Sequence, residues 1–258
     1  MKSKLIILGC GSSIGVPRID DFWGNCNKNN KKNIRTRCSA VIIKGTNSIL
    51  IDTSPDLKMQ LLSNKIKDIS SVIFTHEHAD QTNGLFELRP FFWKHKKRLN
   101  IYGNLTTMND LKKRHDYLFK KKKSSSYPPI IKANVVKSRF SLGNSKEKIF
   151  FKTISLNHGT TKSIIYIFDD TAYMSDCNDF SILKIQELKN LNYLIIDCLK
   201  LTQHPSHFNL EESLCVHQYL KPKKTILTNL HHDLDYNYLL KKLPSGVVPA
   251  YDGLKITL

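Results

Sequence analysis

The stretch SSVIFTHEHADQTNG, residues 70–84, decides the fold. Its apolar run Val72–Phe74 is short and β-branched, which predicts a buried strand. The strand leads directly into THEHAD (75–80), where two imidazoles and a carboxylate share one turn, and the leucines and phenylalanines that follow indicate a helix. A strand that ends in several metal-type side chains is a simple way to build an open metal site. A polar turn in which two histidines happen to be close is the alternative, and the rest of the chain decides between them.

Length and composition predict one domain over residues 1–258, because 258 residues with 40% hydrophobic content bury a sizeable core. The apolar run Leu5–Leu8 is too short for a secretion signal, and no run approaches the length of a membrane span. The six cysteines are scattered without a CxxC pair. This pattern is typical of a reduced, cytoplasmic protein with no membrane partner.

The net charge favours anionic partners. There are 40 Lys and Arg residues against 22 Asp and Glu, a formal excess of +18. Such an excess attracts phosphate esters or RNA but carries no information about the fold. The run Lys120–Lys123 is predicted to be a charged, flexible loop tip.

Short strands in hairpin-like runs alternate with helices, which predicts two sheets covered by helices on their outer faces. The predicted strands are Leu5–Leu8, Ala40–Ile43, Ile49–Ile51, Val72–Phe74, Leu99–Tyr102, Ile149–Leu156, Ser163–Phe168, Thr171–Met174, Tyr193–Ile196, Thr225–Leu227 and Leu254–Thr257. The predicted helices are Pro55–Leu62, Phe86–Trp93, Leu105–Phe119, Phe180–Leu188, Asn209–Leu220 and Tyr236–Leu243. Asn209 and Glu212 form the sequence pattern of a capping box.

Histidines and carboxylates recur where the predicted strands end. One such histidine is usually an ordinary surface or core residue, but several are harder to dismiss because strand ends converge on one edge of a sheet. The nitrogen and oxygen ligand types suit Zn, Mn or Fe better than Mg or Ca. Six candidates exceed one tetrahedral site and fit two metals bridged by a carboxylate. The candidates are His76, His78, Asp80, His158, Asp176 and His231.

The order THEHADQ, NHG, SDC and TNLHHD resembles the metallo-β-lactamase-fold hydrolase superfamily, whose signature is HxHxDH followed by a distant His, a distant Asp and a late His. The resemblance implies an α/β fold, a four-layer αβ/βα sandwich. The flanking motifs GCGSS, VPR, IDTSPDL, GLFELRPF and PAYDG resemble the branch that contains phosphoribosyl cyclic phosphate phosphodiesterases. The tRNA 3′-processing endonucleases are a neighbouring branch.

The resemblance implies a role for each metal ligand. His76, His78 and His158 would hold the first metal, and Asp80 and His231 the second. Asp176 would bridge the two metals, and Asp80 would also belong to the catalytic set. His232, the neighbour of the last ligand, is expected to make no metal bond.

The resemblance also implies roles beside the metals. His207 resembles the histidine that precedes a helix in the phosphodiesterase branches and assists the leaving group, and His204 is a weaker candidate for that task. A histidine just before a helix N-cap is held in place, and its pKa suits proton donation near neutrality. Asp52 either accepts a hydrogen bond from a ligating imidazole or caps the helix that follows.

Two departures from the family pattern affect the expected metals. Gln81 stands where the signature has its last histidine, and because an amide oxygen binds metal more weakly, the second site is expected to be loose or completed by water. The related phosphodiesterase carries a cysteine cluster for a structural zinc, whereas only Cys26 remains here between Trp23 and Cys38, so no such zinc is expected.

These observations predict a phosphodiesterase with two divalent metal ions, Zn or Mn, that cleaves a small phosphate diester, such as a cyclic ribose phosphate, with a metal-activated hydroxide. An RNA-processing endonuclease of the same superfamily is the first alternative, supported by the net charge. A non-catalytic basic binding protein on a decayed hydrolase scaffold is the second, supported by Gln81. A homodimer is expected by analogy with the family.

Overall fold

A computed structural model describes residues 2–121, 123, 126–144 and 146–258 of the chain. The lysine run predicted as a loop tip, Lys120–Lys123, lies partly outside these described residues, because Lys122 is not among them.

Fourteen strands are present in the described part of the chain. They are β1 (Lys4–Gly9), β2 (Ser39–Lys44), β3 (Asn47–Ile51), β4 (Ser71–Ile73), β5 (Leu99–Gly103), β6 (Ile131–Val135), β7 (Arg139–Leu142), β8 (Ile149–His158), β9 (Thr161–Phe168), β10 (Thr171–Met174), β11 (Tyr193–Asp197), β12 (Lys224–Thr228), β13 (Val247–Pro249) and β14 (Leu254–Thr257).

Seven α-helices connect or follow these strands in the same described residues. They are α1 (Leu57–Ser63), α2 (Ala79–Thr82), α3 (Arg89–His95), α4 (Leu105–Arg114), α5 (Asp116–Phe119), α6 (Leu210–Leu220) and α7 (Tyr236–Lys242). The predicted capping box of α6 is confirmed, with reciprocal bonds between Asn209 and Glu212.

The strands form two seven-stranded mixed sheets. The first has the order β14-β1-β2-β3-β4-β5-β6 and the second β13-β12-β11-β10-β9-β8-β7. Strands β3 to β6 run parallel to one another, as do β10 to β13. Strand β8 is antiparallel to β9, which is antiparallel to β10, so β8 points in the same direction as β10. The candidate residues that follow β4, β8, β10 and β12 therefore lie at the carboxyl edges of the sheets.

Side chains that alternate between the two faces of each strand produce the layers of the fold. In β1, Leu5 and Ile7 belong to the core between the two sheets, whereas Ile6 and Leu8 belong to the core under the helices of the first sheet. In β11, Ile195 faces the other sheet, and its neighbours contact the helices of the second. Successive side chains of a strand point to opposite faces, so each sheet needs apolar cover on both sides. The result is the predicted four-layer αβ/βα sandwich, which is confirmed.

Polar contacts join the two sheets beside the carboxyl end of β4. The Ile164 N–H donates to the Thr75 carbonyl at 2.9 Å. The buried Tyr166 hydroxyl donates to the Phe74 carbonyl at 2.8 Å. These bonds fix the start of the THEHAD turn against the second sheet.

Several elements differ from the predicted ones. The predicted helix Phe180–Leu188 consists of two short 3₁₀ segments, because Ile185 between them has an extended backbone. The predicted helix Leu105–Phe119 is divided at His115, whose backbone is not helical. Pro90 lies in the first turn of α3, where its missing N–H costs nothing, and the preceding residues 83–88 form a 3₁₀ helix. Strands β6, β7 and β13 were not predicted.

No helix in the described part of the chain is long and apolar enough to cross a membrane.

Candidate metal centre

The THEHAD turn and the end of β8 bring three imidazoles together. The ring centroids of His76 and His78 lie 4.5 Å apart, and that of His158 lies 4.9 Å from the first and 5.1 Å from the second. The nitrogen atoms that they offer lie within 4.8 Å of one another. These are the three residues predicted for the first metal, and the fold places them at one point.

A hydrogen-bond chain orients His76. The carboxylate of buried Asp52 accepts from the Thr75 N–H and from the Thr75 hydroxyl, each at 2.8 Å. The Thr75 oxygen lies 3.0 Å from Nδ1 of His76. Because that hydroxyl proton is used on Asp52, its oxygen accepts the Nδ1 proton, which leaves a lone pair on Nε2. Asp52 therefore acts on the imidazole through Thr75, and Asp56 rather than Asp52 stands at the N-cap of α1.

His158 is oriented in the same way by the backbone. Its Nδ1 lies 2.8 Å from the carbonyl oxygen of Ser206, which can only accept, so Nδ1 carries the proton. Its Nε2, 4.0 Å from Oδ1 of Asp176, is left with a lone pair. A backbone or carboxylate partner on the second nitrogen is the usual arrangement of a metal-ligating imidazole.

Two carboxylates and an amide form the neighbouring part of the site. Nε2 of Gln81 lies 3.3 Å from Oδ2 of Asp80 and 3.3 Å from Oδ2 of Asp176. Gln81 is fully buried, and its Oε1 has no hydrogen-bond partner among the described residues. Gly84 holds this segment close to the loop after β3, because a Cβ there would lie 2.1 Å from the Ser54 carbonyl oxygen.

His207 is held by a buried acid. Its Nδ1 lies 2.7 Å from Oδ2 of Asp197, the last residue of β11. The amide of Asn229 reaches Oδ1 of Asp197 at 3.1 Å and Oδ1 of Asp176 at 3.4 Å. His204, the weaker candidate, has its ring centroid 5.1 Å from that of His207.

The His207–Asp197 pair is ionised near neutrality. Burial lowers the pKa of His207, but the charge and hydrogen bond of Asp197, with smaller contributions from the charges of Asp176 and Asp80, outweigh it and raise that pKa to about 9. Burial raises the pKa of Asp197 to about 6, against the opposing effect of His207. The raised pKa of His207 favours its charged form, whereas the raised pKa of Asp197 disfavours the charged carboxylate. The difference arises because Asp197 is the more deeply buried partner. Between these values the imidazolium faces a carboxylate.

His231 lines the same cavity, but its ring contacts differ from those of the other candidates. Its ring centroid lies 3.6 Å from that of His232, and its Nδ1 lies 3.2 Å from Oδ1 of Asp233. The three side chains offer ligand atoms within 4.8 Å of one another. At the end of β12, the side chain that reaches Asp176 is Asn229. The role of His231 as a metal ligand stays a prediction.

A cavity of about 280 Å³ joins the two halves of the site. Its lining includes His78, Asp80, His158, Asp176, His204, His207, Asn229 and His231. A larger cavity of about 590 Å³ lies at the opposite end of the second sheet, beside Phe150 and the β9–β10 turn at Asp169. No histidine is among its described lining residues, so the smaller cavity is the candidate active site.

The residues present fit divalent metal ions. Nε2 of His76 is buried without a hydrogen-bond partner among the described residues, and burial lowers the pKa of that imidazole to about 3, so it is neutral and able to bind a cation. Burial and the charge of Asp176 raise the pKa of Asp80 to about 6. A half-buried carboxylate beside the buried one of Asp176 calls for a cation. Nε2 of His158 adds a further lone pair, because its Nδ1 is bonded to the Ser206 carbonyl.

Two residues of the site were missed in the sequence. Asp197 ends a strand, and the strand-end rule that selected Asp176 applies to it equally. Asn229 also follows a strand, but an amide among histidines attracts less attention than His231 and His232.

The fold and this histidine–aspartate site define a metal-dependent hydrolase. The chain belongs to the family described as the beta-lactamase superfamily domain, whose model matches residues 47–231, more than half of the chain. This fold implies divalent metal ions, and histidine and aspartate groups able to hold them are present. The site does not support the non-catalytic alternative.

Solved structures agree with this assignment. A structure described as a new diphosphatase from the PhnP family is 29% identical, with a TM-score of 0.87, and the match covers 100% of this chain and 98% of that one. The metallo-beta-lactamase fold protein YhfI from Bacillus subtilis is 18% identical, with a TM-score of 0.74 over 100% and 99% of the two chains. The short form of human tRNase Z is 15% identical, with a TM-score of 0.66 over 98% of each. The last two show the shared fold alone.

A curated relative is named for a different activity. An octanoyltransferase of Porphyromonas gingivalis (strain ATCC BAA-308 / W83) is 30% identical over 257 residues, which is 98% of this chain and 51% of that protein. The chain thus spans about half the length of that relative.

Proposed function

We propose that this protein is a dinuclear metal-dependent phosphodiesterase that cleaves a small phosphate diester. The observation that carries the proposal is the pairing of His207 with Asp197, where His207 lines the same cavity as His78 and His158. A hydrolase that released a thiolate would have less need of a proton donor whose pKa is raised to about 9, because a thiolate leaves readily without protonation.

The ligands divide into two groups. His76, His78 and His158 would hold one ion, and Asp80, which lines the same cavity, would contribute to the second. Asp176, which lies near His158 of the first group and is joined to the second through Gln81, would be shared by the two ions. His231 remains the predicted further ligand of the second ion. Imidazole with carboxylate favours zinc or manganese.

When bound, such ions supply an activated water as nucleophile and neutralise charge on the phosphate oxygens. The chain supplies the proton. His207 is protonated at neutral pH, and its Nδ1–H is occupied by Asp197, so Nε2–H is the donor for the departing alkoxide. Asn229 holds the other Asp197 oxygen and keeps this carboxylate in place.

One similar structure is consistent with phosphorus chemistry. The similar structure at 29% identity is described as a diphosphatase. A diester and a diphosphate both present a phosphorus centre with a leaving oxygen, so both fit the same arrangement of cations and a proton donor.

The test is hydrolysis of bis(p-nitrophenyl) phosphate by metal-free protein with added Zn²⁺ or Mn²⁺. Release of p-nitrophenolate should depend on metal and fall by about a hundredfold or more in His78→Ala and Asp176→Asn. Hydrolysis that is indifferent to metal and to both substitutions would overturn the proposal.

A further inference from the structure

The second sheet ends in an open edge. Strand β7 (Arg139–Leu142) is the last strand of that sheet and, among the described residues, pairs with β8 alone. The Thr153 N–H donates to the Ser138 carbonyl at 2.9 Å, which places residue 138 in a hydrogen-bonded pair of this antiparallel ladder. Such pairs alternate along the ladder, so every second residue from 138 onward bonds to β8. The backbone groups of Arg139 and Ser141 therefore point away from the sheet.

These outward groups are free to bond to another chain. Within the part of the chain that the structure describes, no hydrogen bond from another element reaches the backbone N–H or C=O of Arg139 or Ser141. Both side chains are exposed. An edge strand with free backbone groups is a template for a further strand, and several peptide-binding domains use such an edge.

The sheet face beside this edge contains an apolar cavity. Arg139 pairs with Lys152, which pairs with Ile167, so the three side chains share the outer face, and Ser141 and Phe150 pair on the same face. The core under the helices of this sheet includes Ile167, but Phe150 remains 70% exposed. The cavity of about 590 Å³ lies here and is lined by Ser141, Phe150 and Ile167 among others. It offers room for a large apolar side chain next to the small Ser141.

The charge of the edge selects an acidic partner. Segment 137–152 carries five cations and one acid, namely Lys137, Arg139, Lys146, Lys148, Lys152 and Glu147. The Glu147 carboxylate accepts from the Thr46 N–H at 2.9 Å, at the turn of the hairpin. The guanidinium of Arg139 makes no ion pair or hydrogen bond with any residue that the structure describes. A carboxylate opposite Arg139 would therefore meet an unpaired cation.

The far wall of the cavity argues against a nucleic acid. Asp169, Asp170 and Glu187 line it, and Glu187 lies 3.7 Å from Lys152. A phosphodiester chain across this face would approach these carboxylates, and it lacks the alternating donors and acceptors that pair with a strand edge. A peptide would bond along β7 and extend only an apolar side chain into the cavity.

We propose that the β7 edge binds an extended acidic segment of a partner protein as an additional antiparallel strand. The partner side chain opposite Ser141 is apolar and lies in the cavity against Phe150. The side chain two residues later, opposite Arg139, is acidic. This surface lies at the opposite end of the second sheet from the metal centre, so its function is separate from phosphodiester cleavage.

The first test uses the full chain and the fluorescein-labelled peptide Thr-Phe-Thr-Glu-Thr-Glu-Thr in a fluorescence anisotropy titration. Saturable binding with a Kd of about 100 µM or tighter is expected. N-methylation of the phenylalanine and the first glutamate, whose N–H groups would face β7, should weaken binding by about tenfold or more. N-methylation of the second and third threonines, whose N–H groups would face solvent, should leave the Kd unchanged.

Two protein variants test the same contacts from the other side. Ser141→Pro removes an outward N–H and keeps the bonds to β8, so it should weaken binding several-fold, whereas Ser141→Ala should not. Arg139→Glu should weaken binding by about tenfold, whereas Lys241→Glu, the same charge change on the exposed face of α7, should not. Circular dichroism checks the fold of each variant, and if Ser141→Pro does not fold, the methylated peptides decide the point on the wild type.

Absence of saturable binding up to about 0.5 mM protein, or an equal Kd for the two methylated peptides, would overturn the proposal. A labelled oligouridylate is the nucleic-acid control. If it binds more tightly than the peptide, loses affinity in Arg139→Glu and retains it in Ser141→Pro, the edge binds RNA and the proposal is wrong.

Discussion

Nδ1 of His207 lies 2.7 Å from Oδ2 of Asp197, and this buried contact joins the loop before α6 to the end of β11. It fixes which nitrogen of the imidazole faces the cavity. This contact predicts that the contribution of His207 to kcat increases with the basicity of the leaving group. His207→Ala should lower kcat by about a hundredfold or more for an alkyl leaving group but only slightly for p-nitrophenolate, a good leaving group without protonation. Rates for a series of esters with leaving groups of rising pKa measure the difference; an equal loss across the series would contradict the role of proton donor.

The same pair predicts a pH profile. His207 donates only when protonated, so the rate with an alkyl ester should fall as the pH rises through about 9, the raised pKa of this imidazole. In Asp197→Asn the carboxylate charge that raises that pKa is lost while the effect of burial, which lowers it, remains. The alkaline limb of log kcat against pH should therefore move to lower pH. Asp179→Asn, a change of the same kind at the cap before residue 180, should not move the alkaline limb. An unshifted alkaline limb in Asp197→Asn would contradict the role of the His207–Asp197 pair in proton donation.

Most of this site could be located from the sequence because the residues that follow strands converge at one edge of a sheet. Candidates after β4, β8 and β10 came together as expected, since parallel strands present their carboxyl ends at one edge. This property of sheets does not show which of the neighbouring residues in TNLHHD points into the site. Asn229 has a left-handed backbone, with φ of 61°, and this turn directs its amide to Asp176. Such a backbone choice depends on the contacts of the folded chain.

The elements that the sequence failed to predict have weak local signals for physical reasons. Edge strand β7 (Arg139–Leu142) has only one buried side chain, so its apolar pattern is faint. Strand β13 is three residues long and ends in Pro249, a residue that local propensity excludes from strands. The pairing partners of both strands decide their structure, and those partners are distant in sequence.

Metal content should depend on the imidazole cluster. His78→Ala removes one of three nitrogen donors within 4.8 Å, so the protein purified without chelators should lose about one equivalent of metal by elemental analysis. His95→Ala is the matched control, because His95 pairs with Asp68 at 2.6 Å, outside the cavity. Equal metal content in the two variants would argue against the assigned ligands.

Asp252, in the motif PAYDG, should stabilise the fold. Its Oδ2 accepts from the Thr36 N–H at 2.8 Å and from the Thr36 hydroxyl at 2.6 Å, and its Oδ1 accepts from the Cys10 N–H at 3.0 Å. Asp252→Asn replaces one acceptor with a donor that faces donors, so the free energy of unfolding should fall by about 1–3 kcal/mol. Urea denaturation measures this free energy of unfolding. Asp170→Asn, in the β9–β10 turn, should change the free energy of unfolding little. Similar values for the two variants would contradict the stabilising role of the Asp252 hydrogen bonds.

Gln81 is expected to limit binding of the second metal ion. Its amide nitrogen lies 3.3 Å from a carboxylate oxygen of Asp80 and of Asp176, a position between the two acids, while its buried oxygen has no partner among the described residues. An imidazole there has similar bulk and a stronger donor atom for zinc, so Gln81→His should retain more metal than the wild type after dialysis against a weak chelator. Gln186→His adds an exposed histidine outside the cavity and controls for adventitious binding. If both variants retain the wild-type amount, the amide does not limit the second ion. If only Gln81→His gains metal, the loose site arises from this one position.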